Sequence, residues 1–328
     1  MTIDGGGVTA ACCRHLLSLT GIDVRQTELS RAGVPAIMLS DAARALLRDC
    51  LSRPDLFEDN ARITRRIVAW GGQDPVALAH EAVMLGTDDL GFQTDSVLPP
   101  GDKSDFTVRA AHPGPDDAVL RVGDLSAETH AVRLLRTDET DACWIEAVDN
   151  GWLFLIPAHG GDGWLLGIGA PTAQLLDESR HVRDRVAIDD RRKAVRFDTS
   201  PRMLEVMCGD GWLAGGSGSM GFDPICGDGT ALAARQAILA SAVITALRDG
   251  EDARHLLDHY QAIMTAALRR HLRLCSEFYA TGGSSLWWLT HQRALAEGHA
   301  LLSDRLNREP PPRFVLQGFG LVRREVAA

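Results

Sequence analysis

The chain has 328 residues, enough for about two domains, and its 45% hydrophobic and 24% charged content excludes disordered, collagen-like and coiled-coil classes. Its 44 acidic and 34 basic side chains leave a net charge of −10, which argues against nonspecific binding to a phosphate backbone, so no nucleic-acid partner is expected. No apolar run approaches the roughly 18–20 residues of a membrane span, and Met1-Thr-Ile-Asp has no basic-then-apolar pattern of a secretory signal, so a cytoplasmic protein with no membrane contact is expected. The seven cysteines (12, 13, 50, 143, 208, 226 and 275) are odd in number and contain no C-x-x-C pair. That pattern predicts reduced thiols, with neither a disulfide framework nor a metal site.

In chain order, Gly5-Gly-Gly7 opens a predicted helix over Val8–Leu19, which Gly21 ends because glycine tolerates the left-handed C′ conformation. Ile22–Glu28 reads as a short strand, and Asp41 is positioned to cap a second helix running to Leu51. From Ile63 to about Gly169 the pattern changes to period-2 alternation. Predicted strands are Ile63–Trp70, Val76–Met84, Phe106–Ala110, Ala118–Val122, Ala131–Leu135, Cys143–Val148, Trp152–Pro157 and Trp164–Ile168, separated by Pro/Gly/Asp clusters. Beyond Met203 come a strand at Gly211–Ala214, a glycine-rich stretch, and helices over Thr230–Leu247, Asp252–Ala280 and Trp287–Leu306. Arg313–Arg324 is a final strand. The order α/β, β, α/β, helical predicts an α/β fold with a nucleotide-binding domain split in sequence (1–75 and 195–250). An antiparallel sheet domain (76–194) is inserted, and a helical region (251–328) follows.

Two glycine-rich junctions carry the chemistry. Gly5-x-Gly7-x-x-Ala10 matches the dinucleotide fingerprint: the first glycine allows a tight turn, the second lets backbone approach a pyrophosphate, and the small third residue lets helix and strand pack. Glu28 lies at the spacing expected of a ribose-binding acid. The second junction runs Trp212-Leu-Ala-Gly-Gly-Ser-Gly-Ser-Met-Gly-Phe-Asp-Pro-Ile-Cys-Gly-Asp-Gly-Thr230, and Gly227-Asp-Gly229 can expose N–H groups to an oxyanion or ring carbonyl at the next helix start.

This second stretch resembles the second flavin signature of FAD-dependent monooxygenases and tryptophan halogenases, in which G-D-A precedes an F-D-P-x-x-G-x-G loop that caps the flavin ring. Phe222-Asp223-Pro224-Ile-Cys-Gly227-Asp228-Gly229 matches that loop, and Ser217, after Gly216, stands at the aspartate of G-D-A. Gly151-Trp-Leu-Phe-Leu-Ile-Pro157 is similar to the family's W-x-W-x-I-P strand, and Ser40-Asp41-Ala42 stands where the halogenase-like group carries G-E-A. The stretches Val34–Asp41 and Asp223–Thr230 are most similar to the LodB, GoxB and QhpG group, which acts on a tryptophan of a partner oxidase or dehydrogenase during formation of its quinone cofactor. The resemblance implies a Rossmann-like FAD-binding domain and FAD held by Gly5, Gly7, Ala10, Glu28, Ser217, Asp223, Pro224, Gly227, Asp228, Gly229 and Thr230. It also implies an electron donor such as NAD(P)H or a flavin reductase, and oxygenation of an aromatic group, a tryptophan on a partner protein included.

A D-A-[ST]-G segment is missing before the second signature, and the halogenases' catalytic lysine has no counterpart, because Lys103 lies in an unrelated Pro/Gly/Asp loop. Halogenation is therefore the lesser alternative, beside a degenerate flavoprotein that only binds a partner and a nicotinamide-only oxidoreductase. Other residues read as structural. His255 and His259 lack an intervening glutamate and form one solvated or capping face, and Trp287 and Trp288 read as core ahead of the alternative that either lines a pocket for an indole-bearing partner. Cys226 is either a small filler in the loop or a thiol activated by a helix N-terminus. Gly215–Ser219 misses the G-x-S-x-G elbow because Ser219 replaces the last glycine.

Overall fold

The computed structural model describes residues 1–27, 35–86, 89 and 105–324. Six helices are present among them: α1 (Gly7–Leu19), α2 (Asp41–Leu51), α3 (Thr172–Glu178), α4 (Gly229–Arg248), α5 (Ala253–Gly282) and α6 (Leu286–Asn307). α1 lacks interior proline and buries Ala10, Cys12, Cys13, Leu16 and Leu17. It stops at Thr20–Gly21, where Gly21 takes φ +78°. α2 is capped by Ser40, whose hydroxyl accepts the Ala43 N–H at 3.3 Å. The expected cap, Asp41, is instead the first helical residue and pairs with Arg44 at 2.6 Å.

A five-stranded sheet runs in the order Cys208–Gly209, Trp212–Ala214, Thr107–Arg109, Thr2–Asp4, Arg25–Thr27. All its pairings are parallel except the outermost Cys208–Gly209 edge. Ile3, Val108 and Leu213, central in their strands, are fully buried. Asp4 is tolerated at the end of the first strand because its carboxylate accepts the Thr27 hydroxyl at 2.8 Å on the neighbouring strand.

A nine-stranded sheet follows the order Val186–Ile188, Ser126–Leu134, Asp162–Gly169, Gly151–Pro157, Ala142–Val148, Arg62–Ala69, Val76–Gly86, Ala36–Ser40, with Val195–Asp198 also on Ser126–Leu134. It is antiparallel except where Arg62–Ala69 meets Ala142–Val148. Every residue of Gly151–Pro157 is buried, as a central strand covered on both faces requires. A small sheet joins Val119–Arg121, Arg202–Leu204 and Met220–Gly221.

Further expectations change. Arg62–Ala69 and Ala36–Ser40 pair into the nine-stranded sheet although they precede residue 75, and Thr107–Arg109 crosses into the five-stranded sheet although it lies within 76–194. Strand partners are chosen by register and burial, which local pattern does not encode. Arg313–Arg324 is a hairpin of Phe314–Gln317 and Gly320–Arg323 rather than one strand. Finally, α4 does reach the length and hydropathy of a membrane span, but its apolar window is 61% buried, the position of a core helix packed against α1, α2 and α5. His255 sits half-exposed beside Asp252, whereas His259 is buried, edge-on to Phe314 at 5.5 Å, so the pair does not share a solvated face.

Candidate functional site at the carboxyl edge of the parallel sheet

Strands Thr2–Asp4, Thr107–Arg109 and Trp212–Ala214 are parallel, so their carboxyl ends reach one edge, the place where open α/β sheets bind ligands. The segments leaving that edge are packed without room for side chains. Gly5 takes φ +112°, and a Cβ there would lie 2.5 Å from the Ala111 nitrogen. A Cβ on Gly218 would lie 2.5 Å from the Ala111 carbonyl, and one on Gly216 would lie 2.5 Å from the Thr9 hydroxyl. Gln26 fixes the first turn by donating to the Gly5 carbonyl at 2.9 Å, while its own carbonyl is buried without a partner. Gln236 fixes the second by accepting the Gly216 N–H at 2.6 Å and the Ser219 hydroxyl at 3.2 Å. Of the fingerprint residues, Gly7 is the first residue of α1, at φ +85°, and Ala10 is fully buried.

α1 and α4 run side by side in the same direction. The Thr9 hydroxyl donates to the Ala233 carbonyl at 3.0 Å, and one turn on the Cys13 thiol reaches the Ala237 carbonyl at 3.6 Å. Their N-termini therefore share an edge. Neither start carries a side-chain cap or an acidic residue in its first turn, so first-turn N–H groups and two positive dipole ends stay available to an anion. Asp228, at the start of α4, is drawn away by Arg235 at 3.0 Å. Space above both turns is open: a Cβ on Gly6 or on Gly229 meets nothing within 4 Å. Ser217 sits half-buried on the Gly216–Gly218 turn, and Thr230 is half-buried in the first turn of α4. Glu28 and Lys103 lie outside the described residues.

The Asp223–Gly229 loop has two faces. Asp223 is buried and turned inward, where its carboxylate caps Ile225 at 2.9 Å and accepts the Tyr279 hydroxyl at 2.7 Å. Burial raises its carboxyl to about 6, against these two hydrogen bonds that favour the ionised form. Pro224 starts the 3-10 turn that follows, and Gly227 ends it at φ +63°. Outward, Gly227 faces the nine-stranded sheet, with the Arg66 guanidinium 3.9 Å from where its Cβ would stand. Arg66 also contacts His80 at 3.0 Å, and its Nε is buried without a partner. Burial, and then the charge of Arg66, pushes the His80 imidazole below its ordinary range.

Sequence reasoning missed Gln26, Arg66, His80 and Gln236, which carry no motif and come from other elements. It also missed a cluster beneath the loop. His271 Nε2 accepts the Asp223 N–H at 3.0 Å and lies 3.3 Å from Cys275 Sγ, which is 3.7 Å from Cys226 Sγ. Hydrogen bonds from Cys275 and then His271 hold the Cys226 thiol down to about 5, while burial drives that of Cys275 up. Trp152, Trp288 and Tyr279 pack behind the loop. Trp288 is fully buried and donates to the Val148 carbonyl at 2.8 Å.

No protein-family model and no curated protein sequence matches the chain. Its architecture has clear counterparts among solved structures. One is the peptidyl tryptophan dihydroxylase QhpG, essential for tryptophylquinone cofactor biogenesis. It matches with a TM-score of 0.68 and 18% identity over 89% of this chain and 78% of that one. The flavin-dependent halogenase CmlS matches with a TM-score of 0.75 and 16% identity, covering 93% and 71%. A single-residue variant of Klebsiella pneumoniae HpxO, complexed with FAD, matches at 0.65 and 15%, covering 93% and 97%. The chain has the fold of the FAD-dependent monooxygenases and halogenases. Identities this low carry the fold and leave substrate and chemistry to the site.

Proposed function

We propose that this chain is an FAD-dependent oxidoreductase of the monooxygenase type that hydroxylates an aromatic group, with a tryptophan on a partner protein as the preferred substrate class. The observation that carries the reading is the pair of parallel, uncapped helices α1 and α4, which open at one sheet edge beneath two glycine turns. This cradle suits a dinucleotide: a Cβ would fill the tight side of Gly5, the sides above Gly6 and Gly229 are empty, and buried Gln26 and half-buried Arg66 each keep one buried polar atom without a partner.

In this reading the Gly5–Gly7 turn and the start of α1 bind the pyrophosphate, Ala10 lets helix and strand close up, and Glu28 takes the ribose. Ser217 hydrogen-bonds the chain that joins phosphate to ring. The Gly227–Gly229 amides, with Thr230 behind them, would stabilise negative charge developing on a ring carbonyl. Asp223, Pro224 and Asp228 shape that loop, and Arg66 faces it from the nine-stranded sheet and orients what lies between. Bound FAD would supply the redox chemistry, delivering electrons to O2 and an oxygen atom to the substrate. The five-stranded sheet with α1 and α4 would then be the FAD-binding domain split in sequence, and the nine-stranded sheet the substrate domain.

Hydroxylation is favoured over halogenation because Asp223–Thr230 is most similar to the tryptophan-modifying group and no catalytic lysine is recognisable in the sequence. Purified chain is titrated into FAD while flavin fluorescence is followed. Quenching with one FAD per chain is expected, together with reductant-driven O2 consumption. No quenching at tens of micromolar protein overturns the reading, and stoichiometric FAD without O2 consumption moves it to a non-catalytic flavoprotein.

A further inference from the structure

The absence of a C-x-x-C pair leads to the expectation of no metal site, yet folding gathers three strong ligands from two elements. His271 and Cys275 lie one turn apart on α5, and Cys226 comes from the Asp223–Gly229 loop. Their donor atoms all lie within 4.8 Å of one another. His271 and Cys275 are buried, and Cys226 is half-exposed.

Two of the three spacings are close to those of a tetrahedral zinc shell, and the third pair, Cys226 and His271, lies within 4.8 Å. With Zn–S of about 2.3 Å and Zn–N of about 2.0–2.1 Å, tetrahedral angles place two sulfurs about 3.8 Å apart and sulfur and nitrogen about 3.5 Å apart. The observed Cys226–Cys275 and Cys275–His271 separations are 3.7 and 3.3 Å. Charge also balances: two thiolates neutralise a 2+ ion and imidazole adds none, which a buried site demands. Thiolate and imidazole donors together select zinc or copper(I) over magnesium or calcium.

We propose that Cys226, His271 and Cys275 bind one zinc(II) ion, which fastens the Asp223–Gly229 loop to α5. Each thiol gives up its proton to solvent on binding, and no electron moves. The ion takes the His271 Nε2 lone pair that now receives the Asp223 N–H, so metal loading exchanges that contact for a metal bond. The fourth position opens toward the half-exposed Cys226 side and takes water. The site acts on the loop from below, and its existence does not rest on the flavin reading.

The test uses full-length, FAD-free protein, stripped with chelator and kept reduced by a non-thiol phosphine. Zinc(II) is titrated in against a chromophoric competitor, and metal per chain is measured by plasma emission. One zinc per chain is expected. Cys226→Ser, on the half-exposed loop, weakens binding at least about tenfold, the loss that even outer-shell changes cause at zinc sites. Cys208→Ser, whose thiol bonds the Leu257 carbonyl elsewhere, leaves binding unchanged. Cobalt(II) in place of zinc gives thiolate charge-transfer absorption in the near ultraviolet that is reduced in Cys226→Ser. Circular dichroism verifies that each variant is folded. Folded, reduced wild type that takes up no stoichiometric zinc, or Cys226→Ser that binds as tightly as wild type, overturns the proposal. FAD quenching by the same stripped protein is scored separately, so failure of one reading leaves the other standing.

Discussion

Asp223→Asn isolates a carboxyl that folding moves into the interior. Burial raises the Asp223 carboxyl from its ordinary 3.8 to about 6, a shift of about two pH units. At about 1.4 kcal/mol per unit, the folded state binds that proton about 3 kcal/mol more tightly than the unfolded chain does. The sign follows from the direction of the shift. A raised folded-state value gives stability that is fully present below about pH 4 and is lost as the pH climbs through about 6. Asparagine keeps the geometry, since its carbonyl accepts the Ile225 N–H and its amide can donate to the Tyr279 oxygen. Urea unfolding of both proteins at intervals from pH 4 to 7 gives the comparison, because titrations common to both cancel in the difference. Wild type is expected to lose about 2 kcal/mol more than the variant across that interval. Cys226 also titrates in this window, at about 5, so the pair is repeated in a Cys226→Ser background. Parallel stability profiles in both backgrounds would refute the assignment of Asp223 as a buried, protonatable group.

Removing the Arg66 charge with Arg66→Gln should raise the His80 pKa, which NMR titration of the imidazole reads directly; an unmoved value would mean that Arg66 does not face His80. Gly5→Ala forces a side chain into φ +112° and against the Ala111 backbone, so about 1–3 kcal/mol of stability should be lost, measured by chemical denaturation. Gly6→Ala meets nothing within 4 Å and should fold as wild type, yet it should weaken FAD quenching at least about tenfold if the pyrophosphate fills that space. Undiminished FAD affinity in Gly6→Ala would remove the Gly5–Gly7 turn from the site.

Elements whose causes are local were legible in the sequence. α4, α5 and α6 begin and end within two residues of their expected limits, because capping residues and helical periodicity lie in the same few turns of chain. The tight turn at Gly5 was legible for the same reason, since positive φ is written in the residue itself. Sheet membership was not, because Arg62–Ala69 takes Ala142–Val148 as a parallel neighbour, a choice that depends on what both strands bury. Likewise Cys226 and Cys275 read as isolated small residues, and only the packing of α5 under the loop makes them neighbours of His271. Arg66 has no motif at all, and its relevance comes from facing the Gly227 loop from the nine-stranded sheet.

The strand Thr107–Arg109 is held on one side by Thr2–Asp4 and on the other by Trp212–Ala214, with Thr107 opposite both Thr2 and Trp212. Each neighbour is 105 residues away along the chain, in opposite directions. A sheet assembled this way cannot close on a nascent chain until the third strand has emerged, so the first helix and its glycine turn spend most of synthesis without their final neighbours. High sequence separation slows folding and leaves strand edges open meanwhile. Any truncation before Ala214 therefore removes one wall of the ligand edge, and the N-terminal fingerprint expressed by itself should neither fold nor bind. The smallest unit with a complete edge also needs α4, so it reaches from Met1 to Arg248.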